Sequence, residues 1–452
     1  MIASGRPLLL VLFVLTVPLV TPAIRGADEI EHFSYLRSLV FDHDLEFGNE
    51  YAHFYERDPA GLSGFKATFL DLREPTGRHI NFAPLGSALL WSPFYLLAHL
   101  GVMVARAAGS AVAADGFSRP YAAAVCYGSA VYGGAGLMLM HDGLRRFGSF
   151  SEPAASWTAA ALWLGSPVLY YVTLAPAFAH AVSLFAVALL VWTWLHARQR
   201  GYAGLAPLAM GAAGGLAALV REQDGLFLAL PASELIWRAA ARRDPGALRA
   251  LAIMTVTAVV LFTPQLLAYH AVAGGWGPSR LVARKMNFAS PHFAQVLFDP
   301  GHGLFLWSPL LLLAAAGMLF ALRARREAVL ALLTLGFVLQ VWINGSVESW
   351  TQAGAFGARR FVSSVVALAW GLAWVVTRGL ERLGRRAVAV GLALFAWWNL
   401  SLMVQFGLRL MDRQRLTWPR VAVNQIAEVP PRLGRVAWLF FTDRERLRGE
   451  GP

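Results

Sequence analysis

About a dozen apolar runs follow one another along the chain, at residues 7–24, 83–105, 119–140, 154–173, 177–196, 203–220, 225–240, 248–272, 302–322, 327–344, 360–378 and 387–408. Most approach the ~20 residues a helix needs to cross a hydrocarbon core of about 30 Å, where every backbone polar group must be satisfied internally. The pattern predicts an all-α polytopic membrane protein and excludes an ordinary soluble domain. Composition agrees: 57% of residues are hydrophobic and 15% charged, and mean hydropathy is +0.51. The formal net charge of +12 comes almost wholly from arginine, because Lys66 and Lys285 are the only lysines. These arginines cluster in short loops, which marks cytoplasmic loops rather than a nucleic-acid surface. The lone cysteine, Cys126, permits no intrachain disulfide and no thiolate cluster.

Orientation follows from parity. The clusters "HDGLRRFG", "HARQRG", "RAAARRDPGALR", "RARRE" and "RGLERLGRR" belong in the cytoplasm by the positive-inside rule. The first run reads as an uncleaved anchor, with a signal peptide ending near Ala23 as the alternative. In either case the segment from Gly26 onward emerges outside. The loop 25–82 and the loop 106–119 can both be external only if 83–105 does not cross. That segment holds Pro84 and Pro93, expected to interrupt a helix, so that the segment lies at the outer interface or dips in and returns. About eleven spans result, with an internal N-terminus and an external C-terminus. The arginines of the tail oppose this, and a twelve-span arrangement would suit them better. One membrane domain, 1–408, and a short basic tail, 409–452, form the simplest partition. Polar segments 25–82, 273–301 and 345–359 then share the outer face, where function is expected.

Four groups there can carry chemistry. Asp28 and Glu29 open the first outer loop, with Glu31 and His32 just behind, and Asp28 and His32 share a helix face at i, i+4. A carboxylate can take a proton from a hydroxyl within hydrogen-bond reach, although acids in a first helical turn also serve the helix dipole alone. Asp42 and Asp44, in "DHDLEFGNEY", offer hard oxygen ligands for a divalent cation or form a polar turn. Arg280, Arg284 and Lys285 in "SRLVARKMNF", and Arg359 and Arg360 in "GAFGARRF", place cations where the positive-inside rule disfavours them. They suit binding of an anion such as a phosphate, or snorkelling to lipid headgroups. In "LVREQDGLF", Arg221 pairs internally or contacts substrate. His180 sits alone in an apolar run, as a packing residue or a contact.

An apolar first helix, an outer loop opening with "DE", the stretch "NFAPLGSALLWSPFYLL" and the turn "GAFGARRF" together resemble the GT-C superfamily of membrane glycosyltransferases. The likeness is to its bacterial branch of protein O-mannosyltransferases and lipid A aminoarabinose transferases. "APLG" matches that branch's proline-rich motif only in part, since "HINFA" replaces the usual His-Pro-Pro lead. This weakens any role carried over to His79. The resemblance implies a GT-C-like helical bundle with juxtamembrane helices in the first outer loop. It implies Asp28 as general base, with Glu29 supporting it or binding acceptor, and a polyprenyl-phosphate-sugar donor entering from the bilayer.

The expected function is sugar transfer to an acceptor hydroxyl, with inversion, at the outer face of a bacterial-type cytoplasmic membrane. The arginines and Lys285 would compensate the departing phosphate, and His32, His79, Asn81, His180 and Arg221 would contact substrate. No cofactor is required, and a cation on Asp42 and Asp44 is the open option. The alternative is a transporter or flippase of lipid-linked saccharides, which would place ionisable residues in mid-span. A structural subunit serving another enzyme is the third class. Neither sugar nor acceptor is legible.

Overall fold

The computed structural model describes residues 5–352 and 354–449. Its helices run in order as α1 (Arg6–Thr16), α2 (Ala27–Arg37), α3 (Gly48–Arg57), α4 (Gly86–Ala107), α5 (Arg119–Arg146), α6 (Glu152–Leu164), α7 (Val168–Thr173), α8 (His180–Gln199), α9 (Ala206–Val220), α10 (Ala229–Arg242), α11 (Pro245–Ala273), α12 (Arg280–Arg284), α13 (Phe293–Phe298), α14 (Leu304–Trp307), α15 (Pro309–Arg325), α16 (Ala328–Gly345), α17 (Val365–Arg382), α18 (Gly384–Gly407), α19 (Arg420–Ile426), α20 (Val429–Thr442) and α21 (Arg444–Gly449). The expected all-α class holds: among the described residues the one extended pairing is an isolated bridge between Arg73 and His79. Among the described residues six helices, α4, α5, α8, α11, α16 and α18, are long and apolar enough to cross a membrane. Their outward faces are apolar, as at Leu97 (68% exposed), Val256 (62%) and Leu394 (64%). A soluble protein would hide such surface, whereas a bilayer solvates it.

Contacts gather the chain into two compact units that are interleaved in sequence. The first holds the residues up to Leu9, Leu144–Tyr170 and the chain from Asn287 onward; the second holds Leu10–Gly143 and Tyr171–Met286. In the first unit, α17 is buried along most of its length, and the described part of the basic tail folds as α19 to α21. The apolar run 154–173, read as one helix, breaks between α6 and α7 at Gly165 and Pro167. Asn399 Nδ2 covers the break by donating to the carbonyls of Leu164 (2.8 Å) and Ser166 (3.0 Å). This satisfies backbone acceptors that helix termination would leave bare.

In the second unit α9 packs against α11 through small residues. A Cβ at Gly211 would lie 2.4 Å from the Met254 carbonyl oxygen, and one at Gly215 2.7 Å from that of Ala258. The spacing Gly211-x-x-x-Gly215 thus brings two backbones together where lipid supplies no hydrophobic drive. The helices expected in the first outer loop are α2 and α3.

Pro93 does not interrupt α4, contrary to expectation: the helix runs through it for 22 residues. A proline removes the bond to the carbonyl four residues back, here that of Leu89. Ser92 Oγ donates to that carbonyl instead, at 2.7 Å. α4 also runs alongside α2. Near its start Pro84 O meets His32 Nδ1 at 3.1 Å, and further on Tyr95 stands edge-on to Phe33, with ring centroids 6.0 Å apart. Beyond α2, Phe41 meets His99 at 5.2 Å. The chain after α4 then returns to the same polar segment. Arg37 Nε donates to Asp115 O at 3.4 Å, and His53 stacks on Phe117 at 3.9 Å. The start and middle of α4, and the chain that follows it, therefore lie against the segment 25–82.

Candidate active site

The chain entering α2 is held on both sides. Thr21 N donates to Thr173 O at 2.7 Å, and extended Gly26 forms the N-cap of α2. A Cβ at Gly26 would lie 2.7 Å from Phe178 Cζ, so only glycine lets the helix start against that ring. Glu29, three residues on, turns back over the helix end. Its Oε2 accepts from Arg25 N at 2.7 Å and Gly26 N at 2.9 Å, meeting donors that the first turn leaves without intrahelical partners. Burial pushes the Glu29 carboxyl up to about 7, against the lowering effect of those two N–H groups and the Arg25 charge. That value suits a general base near neutral pH. Its bonded oxygen, however, is already committed to the helix start.

Asp28 is half-buried and shares a face of α2 with His32, one turn on. His32 is buried, and its Nδ1 faces the Pro84 carbonyl. A carbonyl only accepts, so Nδ1 carries the proton and Nε2 presents a lone pair. Burial pushes His32 down to about 4; Arg221 adds to the fall, while Asp28 and the Pro84 carbonyl oppose it. His32 is thus a neutral imidazole at neutral pH, with Asp28 and Arg221 both near enough to bias it. Arg221 closes α9, and its guanidinium donates to His180 Nδ1 at 3.3 Å. The His180 ring stands edge-on to Tyr171 at 4.6 Å and parallel to Phe178 at 6.3 Å. Phe178 therefore links His180 to Gly26, and the second unit brings Asp28, His32, His180 and Arg221 into one constellation.

The stretch "NFAPLG" is fastened to α2 at Asn81, Phe82 and Pro84, and its far end to α11 and α9. Asn81 Nδ2 donates to Glu31 O at 3.0 Å, Asn81 Oδ1 accepts from Ala83 N at 2.9 Å, and Phe82 N donates to Glu31 Oε1 at 3.3 Å. Leu85 N donates to Gln265 Oε1 at 2.7 Å. A Cβ at Gly86 would stand 2.4 Å from the backbone of Leu219, which explains the glycine of "APLG". Lys285 Nζ lies 5.8 Å from the centre of the Phe82 ring, so this lysine is brought beside the fastened stretch. Arg280 and Arg284, on α12, are exposed. Gln265 was missed in the sequence; the signal was an amide side chain within the apolar run 248–272.

His79 and the acids from Asp42 onward serve other contacts. His79 Nδ1 pairs with Glu46, and its ring stands edge-on to Tyr51 at 6.0 Å. Asp42 pairs with Arg37 and accepts from Asn49 Nδ2 at 2.7 Å. Asp44 Oδ1 accepts from Ser38 Oγ at 2.6 Å and Glu46 N at 3.1 Å, the pattern of a polar turn. Among the described residues no group of three or more His, Cys, Asp or Glu is placed to hold a metal ion.

In the first unit Arg359 and Arg360 begin a short 3₁₀ turn. Arg360 N donates to Gln352 Oε1 at 3.1 Å and its guanidinium to Ser349 Oγ at 3.3 Å. Gly354 and Gly357, at φ +71° and +59°, adopt the left-handed conformation this loop needs. Beneath the loop lies His302, which sequence reading passed over. Its Nε2 donates to Ala355 O at 2.7 Å, and its ring stacks on Trp307 at 4.9 Å.

This helical architecture, with α2 and α3 packed beside α4, has counterparts among solved structures. Two solved structures share it. ArnT from Cupriavidus metallidurans, bound to undecaprenyl phosphate, has a TM-score of 0.50 at 18% identity over 98% of this chain and 76% of its own. The Archaeoglobus fulgidus oligosaccharyltransferase in its apo form has a TM-score of 0.52 at 13% identity. That likeness covers 96% of this chain, which spans 59% of the archaeal one. No protein-family model and no curated protein matches the sequence.

Proposed function

We propose that the chain is a membrane glycosyltransferase that moves a sugar from a polyprenyl-phosphate donor to an acceptor hydroxyl. The observation that carries this is the likeness in fold to two GT-C structures along nearly the whole chain, one of them holding a polyprenyl phosphate. The constellation on α2 supplies the chemistry. Asp28 takes the acceptor hydroxyl's proton, and the oxygen attacks the anomeric carbon from the face opposite the phosphate. The bond from that carbon to the phosphate oxygen breaks, the configuration inverts, and the polyprenyl phosphate leaves with the bonding electrons. His32 Nε2 accepts a hydrogen bond and orients substrate, and burial, with Arg221 adding to it, holds the imidazole neutral. Lys285, with Arg280 and Arg284, meets the growing phosphate charge. Arg359 and Arg360 form a second cationic group for phosphate, in their own unit.

The site faces the outer side of a bacterial-type cytoplasmic membrane on this reading. The positive-inside pattern supports it. The test is transfer by purified protein from a panel of polyprenyl-phosphate sugars to hydroxyl acceptors. Release of polyprenyl phosphate together with an inverted glycoside is the expected result. Failure of transfer with every donor, combined with passage of lipid-linked saccharide across vesicles, would replace the enzyme with a flippase.

A further inference from the structure

Beyond α18 the chain stays beside the span it has just left. Both α19 and α20 pack on α18, and Gln425 Nε2 donates to Trp398 O at 3.3 Å. α18 ends at Gly407, which places Trp398 about 13 Å back along its axis. Leu394, one turn earlier on the same face, belongs to the exposed apolar surface that a bilayer solvates. The last turn of α19 therefore stands level with the apolar stretch of a membrane-crossing helix. There Ile426, next to Gln425, is 81% exposed. At about 100° per residue, α20 has three faces. Val429 and Leu439 are buried against the protein. Leu433, Trp438 and Phe441 form an apolar face that the chain leaves uncovered, and Arg435 and Thr442 make a narrow polar strip between the two. Trp418, half-exposed, stacks on Trp398 at 5.4 Å, with exposed Arg415 and Arg420 on either side of it in sequence.

We infer that the tail is a membrane-surface element: α19 and α20 dock on the lipid leaflet at the C-terminal end of α18. Ile426, Trp438 and Phe441 enter the acyl region, and Arg415, Arg420 and Arg435 stay at the level of the headgroups. Continuity names the occupant, because the uncovered face starts beside the Leu394 surface, where lipid is already the solvent. A helix with an apolar arc, a tryptophan within it and arginine on its polar strip has the form that lies in a bilayer interface. In water the same surface would drive association. The arginines of the tail also gain a role, since their long stems reach from the apolar zone to the headgroups. This placement holds for either orientation of the membrane domain, and for an enzyme as for a transporter.

The experiment uses the full chain with Cys126→Ala, in nanodiscs of phosphatidylcholine and phosphatidylglycerol, carrying one nitroxide label at a time. Labels at Ile426→Cys and Trp438→Cys are compared with Leu394→Cys as the lipid reference and Ala111→Cys, in an exposed loop, as the water reference. Collision rates are measured with oxygen, which concentrates in lipid, and with a nickel chelate, which stays in water. Both tail labels should match Leu394→Cys, with an oxygen-to-nickel ratio severalfold above that of Ala111→Cys. A ratio like that of Ala111→Cys would overturn the inference, and so would exclusion of both probes, which marks a protein or a second copy of the chain on that face. The unsubstituted chain gives a second measurement that no folding defect can confuse. Photolysis of phosphatidylglycerol bearing a diazirine in its acyl chain should modify residues within 420–442. Modification of α18 with none in 420–442 would equally overturn the placement.

Discussion

Two adjacent carboxylates, Asp28 and Glu29, end in different roles because a helix turns about 100° per residue. Position N3 lets Glu29 reach back to Arg25 and Gly26, while Asp28 keeps the face of His32. The sequence showed the acids, and a glycine three residues before a glutamate was a readable capping sign. Pairings such as Asp42 with Arg37 or Glu46 with His79 were not readable, since they depend on how α2, α3 and the following loop fold back. The Glu29 carboxyl titrates at about 7 when folded instead of 4.5. A carboxyl raised in this way contributes stability that is full below its unfolded value and is lost as pH rises through its folded one, here about 3 kcal/mol at most. Glu50, raised by burial to about 7 beside Arg37, acts in the same window. Glu29 and Glu50 should each contribute a fall in melting temperature between pH 4.5 and 7, against the rise that His32 contributes over about pH 4 to 6.5, and Glu29→Gln should remove the share of Glu29. An unaltered slope in the variant would show that Glu29 is not the buried cap described.

At the scale of elements, apolar periodicity located the helices, and two prolines misled in opposite ways. Pro167, next to Gly165 and Ser166, breaks a run that read as continuous, whereas Pro93 sits inside α4 because Ser92 serves the carbonyl it abandons. Neither compensation is visible in hydropathy, which counts side chains and not backbone partners. The link between "APLG" and its surroundings is likewise a backbone matter. Gly86→Ala should cost about 1–3 kcal/mol because its Cβ meets the Leu219 backbone, which cannot easily give way. Gln265→Leu should cost a similar amount, about 1–3 kcal/mol, by leaving the buried Leu85 N–H without its acceptor. Melting in detergent measures both; a loss well under 1 kcal/mol in either would mean that α4 is not anchored at this point.

At the scale of the whole molecule, the membrane class and the GT-C resemblance were legible, because apolar length and a few motifs carry them. The interleaving of the two units was not, since it depends on contacts between segments far apart in sequence. Topology is the matter in which packing adds most to parity. Reporter tags in 108–118 and after the tail should both read as external, and a cytoplasmic signal from the first would mean that α4 crosses. The central claim is that Asp28 on α2 takes the acceptor's proton. Its most direct test is the single-turnover rate of sugar transfer by Asp28→Asn beside Glu29→Gln, both checked for wild-type folding at pH 6. The account predicts a fall of about 10²–10⁴-fold for Asp28→Asn and a rate within severalfold of wild type for Glu29→Gln. Near-wild-type transfer by Asp28→Asn, with the loss falling on Glu29→Gln, would contradict it.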